Sequence, residues 1–452
     1  MMKVSFCTLG CKVNMYETES MREHFVKAGF EAVSDREPAD VCVINTCSVT
    51  NVADRKSRQY IRRMKHLNPD AVIVVTGCYA QTDPDAVAEI EGVDIIAGTN
   101  EKSHIVEYVE NFIKENRSNR KTEDPGRRAE EHILSYDDIT GFEDMGAIAA
   151  MDSRSRAVIK IEEGCDRFCS YCIIPYARGR VRSRNPESVI AEAGGLVRAG
   201  YREIVLAGIN TALYGSDFGK DSDVDIVKLV KAIGDIDGDF RIRLSSLEPN
   251  VIDAGTAERL AGCRKLCHHM HLSIQSGSDT VLQRMNRRYD VRQYLEIAAA
   301  LRKADPEYGI TTDIIVGFPG ETDDEFRETL ETARKAAFSR IHVFRYSQRS
   351  HTPAAVMPDQ VSPQVRAERA GVLADTADRL AENFFRRNEG SVRRVLFEQT
   401  TSDGLYIEGY TDNYIKVYVD NKYDDTNYIL HNLVDVRLES PVKDGMKGTL
   451  ML

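Results

Sequence analysis

The chain has 452 residues, 42% of them hydrophobic and 29% charged, with 71 acidic against 60 basic side chains, a formal net charge of −11 and ten cysteines. At roughly 100 to 200 residues per domain this predicts about three domains. The acidic balance excludes a protein that coats nucleic acid nonspecifically, because such binding comes from phosphate neutralisation by Lys and Arg. The absence of a run of about 18 apolar residues and of a basic-then-apolar leader sets the expectation of no membrane association and a cytoplasmic location. In that reducing compartment ten cysteines point to metal binding or catalysis rather than disulfides.

Residues 3 to 118 alternate strands with helices, which predicts a parallel sheet covered by helices. VSFCTLGC, DVCVINTC and AVIVVTGC each run from an apolar stretch into a cysteine, at Cys11, Cys47 and Cys78. Ligands of open α/β sheets bind outside the carboxyl ends of the strands, so three thiols from three strand ends can converge despite their separation in sequence. Cys7 and Cys42 lie within the strands and read as small buried hydrophobes. The helix after Cys47 carries Arg55, Lys56, Arg58, Arg62, Arg63 and Lys65 with no acid among them. Arg55, Arg58, Arg62 and Lys65 share a face that is either plain solvated surface or a phosphate contact.

Residues 119 to 153 read as a polar linker. Six strand candidates follow, RAVIKIEEG, EIVLAGINT, FRIRLSSLEP, HHMHLSIQSGS, GITTDIIVGFPG and RIHVFRYSQR, with helical segments between them. Six such units form a barrel two short of the full eight, open on one side. After the first strand comes EGCDRFCSYCIIPYARG, in which Cys165, Cys169 and Cys172 can share one metal centre only from a loop. A four-iron cluster held by four cysteines is closed, whereas three leave one iron open for a ligand. The alternative, a zinc loop or three buried thiols, would want a second ligand pair further on, and none follows. The remaining strand ends supply Gly208, Asn210, Glu248, Gln275, Asp313 and Gly317 as candidate cofactor contacts, with Tyr171, the aromatic of the three-cysteine loop, as a further one. Cys263, Cys267, His268, His269 and His271 have a metal-site composition, but the histidines run into a strand, where neighbours face opposite sides, and we read them as structural. Residues 361 to 388 form a long charged helix. From residue 389 short alternating strands predict a small β-barrel.

The three-cysteine loop, the three spaced N-terminal cysteines, DIIVGFPGET at 313 to 322 and QSGS followed by RMNRRY at 284 to 289 together resemble the methylthiotransferase family of radical S-adenosylmethionine (SAM) enzymes over essentially the whole chain. The resemblance implies an α/β fold in three parts: an N-terminal parallel α/β domain (1–118), a central open (β/α)6 partial barrel with a trailing helix (154–388), and a C-terminal TRAM β-barrel (389–452). It implies two four-iron, four-sulfur clusters, one on Cys165, Cys169 and Cys172 and an auxiliary one on Cys11, Cys47 and Cys78. It also implies SAM as cofactor, an electron donor such as a flavodoxin or ferredoxin, and a tRNA anticodon stem-loop as partner.

Three branches of that family differ in target: isopentenyladenosine in tRNA, N6-threonylcarbamoyladenosine in tRNA, or an aspartate of a ribosomal protein. ADRKSRQYIRR, CDRFCSYCIIPYARG, RIRLSSLEP and YSQRSHTPA resemble the threonylcarbamoyladenosine branch most. The nine basic against twelve acidic residues of 381–452 would suit a basic ribosomal protein, whereas eight basic against three acidic residues in 154–184 favour RNA. The resemblance implies a deoxyadenosyl radical, made by reducing SAM at the barrel cluster, acting on carbon 2 of adenine. A second SAM gives the methyl group, and the auxiliary cluster holds the sulfur. Arg suits bidentate pairing with a threonyl carboxylate, and Arg345 and Arg349, at or just past the end of the sixth strand, are the candidates for it. A two-cluster electron-transfer or RNA-binding protein without catalysis is the competing class. It would want four ligands at each cluster.

Overall fold

VCVINT, apolar or small at nearly every position, is the sequence of a strand buried on both faces, as parallel strands are when helices cover both sides. In the computed structural model, which describes residues 1–118, 128–148, 151, 155–219, 221–422 and 428–451, this strand, Val41–Thr46, is buried throughout. Val41 and Val43 pack into one core with Phe6, Met21 and Phe25, while Cys42 and Ile44 pack into another with Cys7, Ile61 and Met64.

The chain divides into two compact units. The first comprises Met1–Ile148, Glu162–Arg184 and Ser347–Ala355. Its sheet has six parallel strands in the order Glu31–Val33, Lys3–Thr8, Val41–Thr46, Val72–Gly77, Ile95–Ala97 and Glu130–His132. The last lies inside the span read as a linker, of which 119–127, 149–150 and 152–153 fall outside the described residues. At three residues, none of them buried, it is too short to show a period; further along the same span Met145 and Ile148 are buried. The strand order reverses between Lys3–Thr8 and Val41–Thr46, the switch point where such sheets open a crevice at the strands' carboxyl ends.

The second unit comprises Ala149–Ile161, Asn185–Tyr346 and Val356–Leu452. Its six principal parallel strands follow in chain order. Arg156–Lys160, Glu203–Ala207 and Arg241–Leu244 form one sheet; Ser246–Leu247, which continues the third strand past Ser245, begins a second with His269–Leu272, Gly309–Val316 and Arg340–Arg345. This is the open (β/α)6 arrangement. Ile204, Leu206, Ile242, Leu244, Met270, Leu272, Ile310 and Ile314 pack with Val230, Ile297 and Leu301 of the flanking helices. The alternate residues, Glu203, Arg241, Arg243, His269, His271, Ser273, Thr311, Asp313 and His342, face the other way, so the inner surface is polar and ionic.

The helix Pro363–Arg387 leads to a closed five-stranded β-barrel around Val395, Phe397, Val417, Val436 and Met446. Arg241 and Arg243 join the two parts of this unit by donating to the carbonyls of Arg394 (3.2 Å), Tyr410 (3.0 Å), Thr411 (3.1 Å) and Asp412 (3.1 Å). Among the described residues no helix is long and apolar enough to cross a membrane.

Candidate active site

In the first unit Cys11 follows the strand Lys3–Thr8, Cys47 follows Val41–Thr46, and Cys78 follows Val72–Gly77, so the first two flank the switch point and the third stands one strand away. Cys47 and Cys78 are buried and Cys11 is exposed. Burial pushes the Cys47 thiol up to about 11, with further upward contributions from Cys78 and Cys11. Burial also raises Cys78, against the lowering influence of Arg178. Gly10 lets Cys47 pack close against the Cys11 loop: a side-chain carbon there would lie 2.7 Å from Cys47 Cβ and 2.9 Å from its Sγ. The three strand ends thus bring Cys11, Cys47 and Cys78 within electrostatic reach of one another.

The second trio belongs to the same unit. Its loop is closed by the Cys165 amide donating to Gly179 O (3.0 Å) and the Cys172 amide donating to Cys169 O (2.9 Å). Gly164 makes the turn at φ +81°, where an added side-chain carbon would sit 1.8 Å from Arg180 O, so only glycine fits. Cys169 is buried; Cys165, Cys172 and Tyr171 are half-buried. Thr99 Oγ1 donates to Ala177 O (2.7 Å), fastening the loop to the sheet domain.

Also in this unit, Thr50 caps the helix Asn51–Leu67 by accepting from the Ala53 amide (3.2 Å), and only Ser57, Ile61 and Met64 of that helix are buried. Arg55, Lys56, Arg62 and Arg63 are exposed. Arg58 donates to Tyr79 Oη (3.1 Å). Arg349, a sequence candidate for substrate contact, is buried and held by Asp54, Asn51 Oδ1 (2.8 Å) and Ser48 Oγ (2.7 Å). Its guanidinium clamps the start of this helix. No motif announced that role, because the partners lie about 300 residues away in sequence.

In the second unit the cofactor candidates fall into two groups. Glu248, buried, accepts from Asn210 Nδ2 (2.8 Å) and Arg287 Nη1 (2.8 Å), and Gly208 N donates to Ser245 Oγ (3.4 Å). The Gln275 amide donates to Asp313 O (2.9 Å), and Asp313 Oδ2 meets His271 Nε2 (3.2 Å) and Ser273 Oγ (3.3 Å). Burial works against the Asp313 charge, but the hydrogen bond and charge of His271 hold it below the usual range. His342 stands opposite Asp313 in the strand register, and potential ligand atoms of His271, Asp313 and His342 lie within 4.8 Å of one another. His342 escaped the sequence reading; its signal is a histidine at an inward position of the sixth strand. Gly317 N donates to Glu321 Oε2 (2.6 Å). Arg345 is exposed at its strand's end.

The cysteine–histidine stretch at 263–271 separates into individual contacts. Cys263 Sγ donates to Arg259 O, His268 meets Asp305 (2.8 Å), His269 meets Thr311 (3.0 Å), and His271 meets Asp313. Strand alternation turns His269 and His271 to the inner surface, with Met270 between them in the core.

Residues 3–98 match the family described as uncharacterized protein family UPF0004, and residues 159–333 match the radical SAM superfamily. The chain is 44% identical over 422 residues to the threonylcarbamoyladenosine tRNA methylthiotransferase MtaB of Bacillus subtilis (strain 168), covering 92% of this chain and 90% of that protein. It is 38% identical to the protein of the same name from Thermotoga maritima, covering 90% and 89%. A tRNA-2-methylthio-N(6)-dimethylallyladenosine synthase of Clostridium botulinum (strain Langeland) is 35% identical, covering 88% and 86%. Among solved structures, the radical S-adenosylmethionine methyltransferase TsrM of Kitasatospora setae shares the fold at a TM-score of 0.59 and 15% identity, covering 79% of this chain and 75% of that one. With both its domain signatures and near full-length relatives in agreement, the chain belongs to the radical SAM methylthiotransferase family.

Proposed function

We propose that this enzyme replaces the hydrogen on carbon 2 of N6-threonylcarbamoyladenosine, beside the anticodon of a tRNA, with a methylthio group. The observation that carries the reading is two cysteine trios in one compact unit, each offering three sulfurs. Electron transfer wants closed clusters, whereas an open iron serves a bound ligand. When bound and reduced, a four-iron cluster supplies the electron that cleaves SAM to a radical able to take hydrogen from an unactivated ring carbon.

Cys165, Cys169 and Cys172 would hold that cluster, and Cys11, Cys47 and Cys78 a second one bearing the sulfur. Tyr171 is assigned to the adenine of SAM. Its amino, carboxylate and ribose groups are assigned to the strand-end set Gly208, Asn210, Glu248, Gln275, Asp313 and Gly317. The exposed Arg55 and Arg62 are assigned to RNA phosphates, with Arg58 behind them on Tyr79. Sequence-specific RNA recognition targets unstacked loop bases, so the partner is the anticodon stem-loop, with a flavodoxin or ferredoxin as electron donor. For the threonyl carboxylate we choose Arg345, because Arg349 is engaged within its own unit.

The test is mass spectrometry of tRNA nucleosides from a host lacking 2-methylthio activity, with and without this gene. Methylthio product on the threonylcarbamoyl nucleoside alone is the expected outcome. Product on the dimethylallyl (isopentenyl) nucleoside would transfer the assignment to that branch. No product on either would redirect it to the ribosomal-protein aspartate.

A further inference from the structure

Arg178 closes the PYAR turn six residues after Cys172, and its side chain is fully buried. Its Nη1 donates to Glu17 Oε1 (2.8 Å) and Glu163 Oε1 (3.3 Å), and its Nη2 to Asn14 Oδ1 (2.6 Å) and Glu17 Oε2 (3.2 Å). Glu17 also pairs with the buried Lys102 (2.9 Å), and Glu163 with Arg182 (3.4 Å). Three cations thus share two carboxylates. Lys102 and Arg182 donate further to the carbonyls of Thr99 (3.1 Å) and Arg178 (2.8 Å). Arg178 and Arg182 each keep an Nε buried without a hydrogen-bond partner among the described residues, and of the two it is Arg178 that reaches the cysteine trio: Asn14 Oδ1, which accepts from its Nη2, also accepts from Cys11 Sγ (3.8 Å), and its guanidinium acts against the rise of the Cys78 thiol. A buried donor left unmade is costly, and an excess buried cation more so.

An anion at the cysteine trio would answer both. An oxidised four-iron cluster carries two positive charges and three thiolates carry three negative ones, leaving one net negative charge. We propose that Arg178 is the buried counter-charge of the cluster held by Cys11, Cys47 and Cys78, with its Nε–H donating to a cluster sulfur. The proposal rests on the reading of that trio as cluster ligands. Arg178 is a positioning residue in this scheme. Hydrogen bonds to sulfur and nearby positive charge raise a cluster's reduction potential, and reduction adds another negative charge for the guanidinium to stabilise. Because Arg178 sits on the Cys165–Cys172 loop and grips Glu17 and Asn14 on the helix that begins after Cys11, the potential of one centre is tied to the seating of the loop that carries the other.

The test uses the full-length chain with Cys165, Cys169 and Cys172 replaced by Ala, reconstituted anaerobically so that only the N-terminal trio holds iron. Iron content, resistance to a chelator and an EPR-monitored redox titration are compared among this parent, Arg178→Gln and Arg178→Lys. The proposal expects Arg178→Gln to titrate at a more negative potential and lose iron faster to the chelator. Arg178→Lys keeps the charge but cannot hold Glu17 bidentately while donating to sulfur, so it is expected between the two. Equal potentials and equal chelator resistance in parent and Arg178→Gln, both with cooperative thermal melts, would overturn the proposal. If Arg178→Gln fails to fold, Arg178→Lys decides alone: an unchanged potential overturns the proposal and a smaller negative shift supports it. A parent that binds no iron overturns the cluster reading itself, a failure distinct from the preceding ones.

Discussion

Two ionic clusters in this protein have the same charge count, three cations on two carboxylates, and different surroundings. In the first unit Arg178, Arg182 and Lys102 share Glu17 and Glu163. In the second Arg156, Arg241 and Arg243 share Glu203 and Glu398. The surplus cation of the second cluster is absorbed locally. The Nε atoms of Arg241 and Arg243 both donate to Glu203 (2.6 and 2.9 Å), four backbone carbonyls of the small β-barrel take the remaining donors, and Arg243 lies 4.8 Å from the Tyr414 ring centroid. In the first cluster the Nε–H groups of Arg178 and Arg182 have no such acceptor among the described residues. Equal charge counts therefore carry unequal meanings: a satisfied cluster is a staple, and one with a spare donor beside thiols belongs to a site.

The largest effects should fall on the cysteines. Cys47→Ala or Cys169→Ala is expected to reduce methylthio product to the background of the nucleoside assay, while Cys263→Ala, whose thiol only meets Arg259 O, keeps product formation within about threefold, the scale of a small core change. The comparison is broken most directly by Glu203→Ala. Its carboxyl sits far below the usual range because, although burial opposes the charge, Arg243 and Arg241 outweigh it. Removing it strands two buried guanidiniums, so urea unfolding should show a loss of about 3–5 kcal/mol with iron content per folded chain unchanged. If Glu203→Ala instead stripped iron and left stability intact, the division into staple and site would collapse.

The sequence made the strands legible because each of the six barrel strands is a β-rich run between turn signals, and each N-terminal cysteine stands where its strand gives out. What it hid were partners distant in the chain. Arg178 reads as part of a motif, but Glu17 and Asn14 lie 161 and 164 residues away. Arg349 reads as a candidate for the substrate carboxylate and is instead buried against Asp54, Asn51 and Ser48. His342 sits in RIHVFR, where periodicity places it on the inner face but gives no hint that Asp313 stands opposite. Glu130–His132 shows the remaining limit, since a three-residue edge strand in a polar stretch acquires its identity only from the sheet it joins.

Arg345→Ala sharpens the substrate assignment. A charge-assisted contact to the threonyl carboxylate is worth about 1.5–3 kcal/mol, so kcat/KM on threonylcarbamoylated tRNA should fall about ten- to hundredfold. On dimethylallyladenosine tRNA, which has no carboxylate at that position, any residual activity should be unaffected. Equal losses on both substrates would place Arg345 in general RNA contact.

The smallest effect concerns the ion pairs that join the two parts of the second unit. His268 is raised above its ordinary value chiefly by its hydrogen bond to Asp305, and that same bond is the main reason Asp305 is held far below the carboxylate range. Arg393, from the small β-barrel, also reaches Asp305 (3.0 Å) and opposes the rise at His268, while Asp412 supports it. A histidine raised on folding stabilises the folded state fully below its unfolded value of about 6.5, and that contribution is lost as pH rises through the folded value. A carboxyl lowered on folding stabilises above about 3.9, and its contribution is lost as pH falls. The pair therefore contributes most between about pH 4 and pH 6.5. With the His268 ring partly in solvent, the gain is no more than about 1 kcal/mol. Denaturant unfolding should show stability declining slightly from pH 6 to 8, and Asp305→Asn should flatten that decline while lowering stability at pH 6. A decline of the same steepness in Asp305→Asn would assign the pH dependence to other groups and leave Arg393 as the charged partner that Asp305 works through.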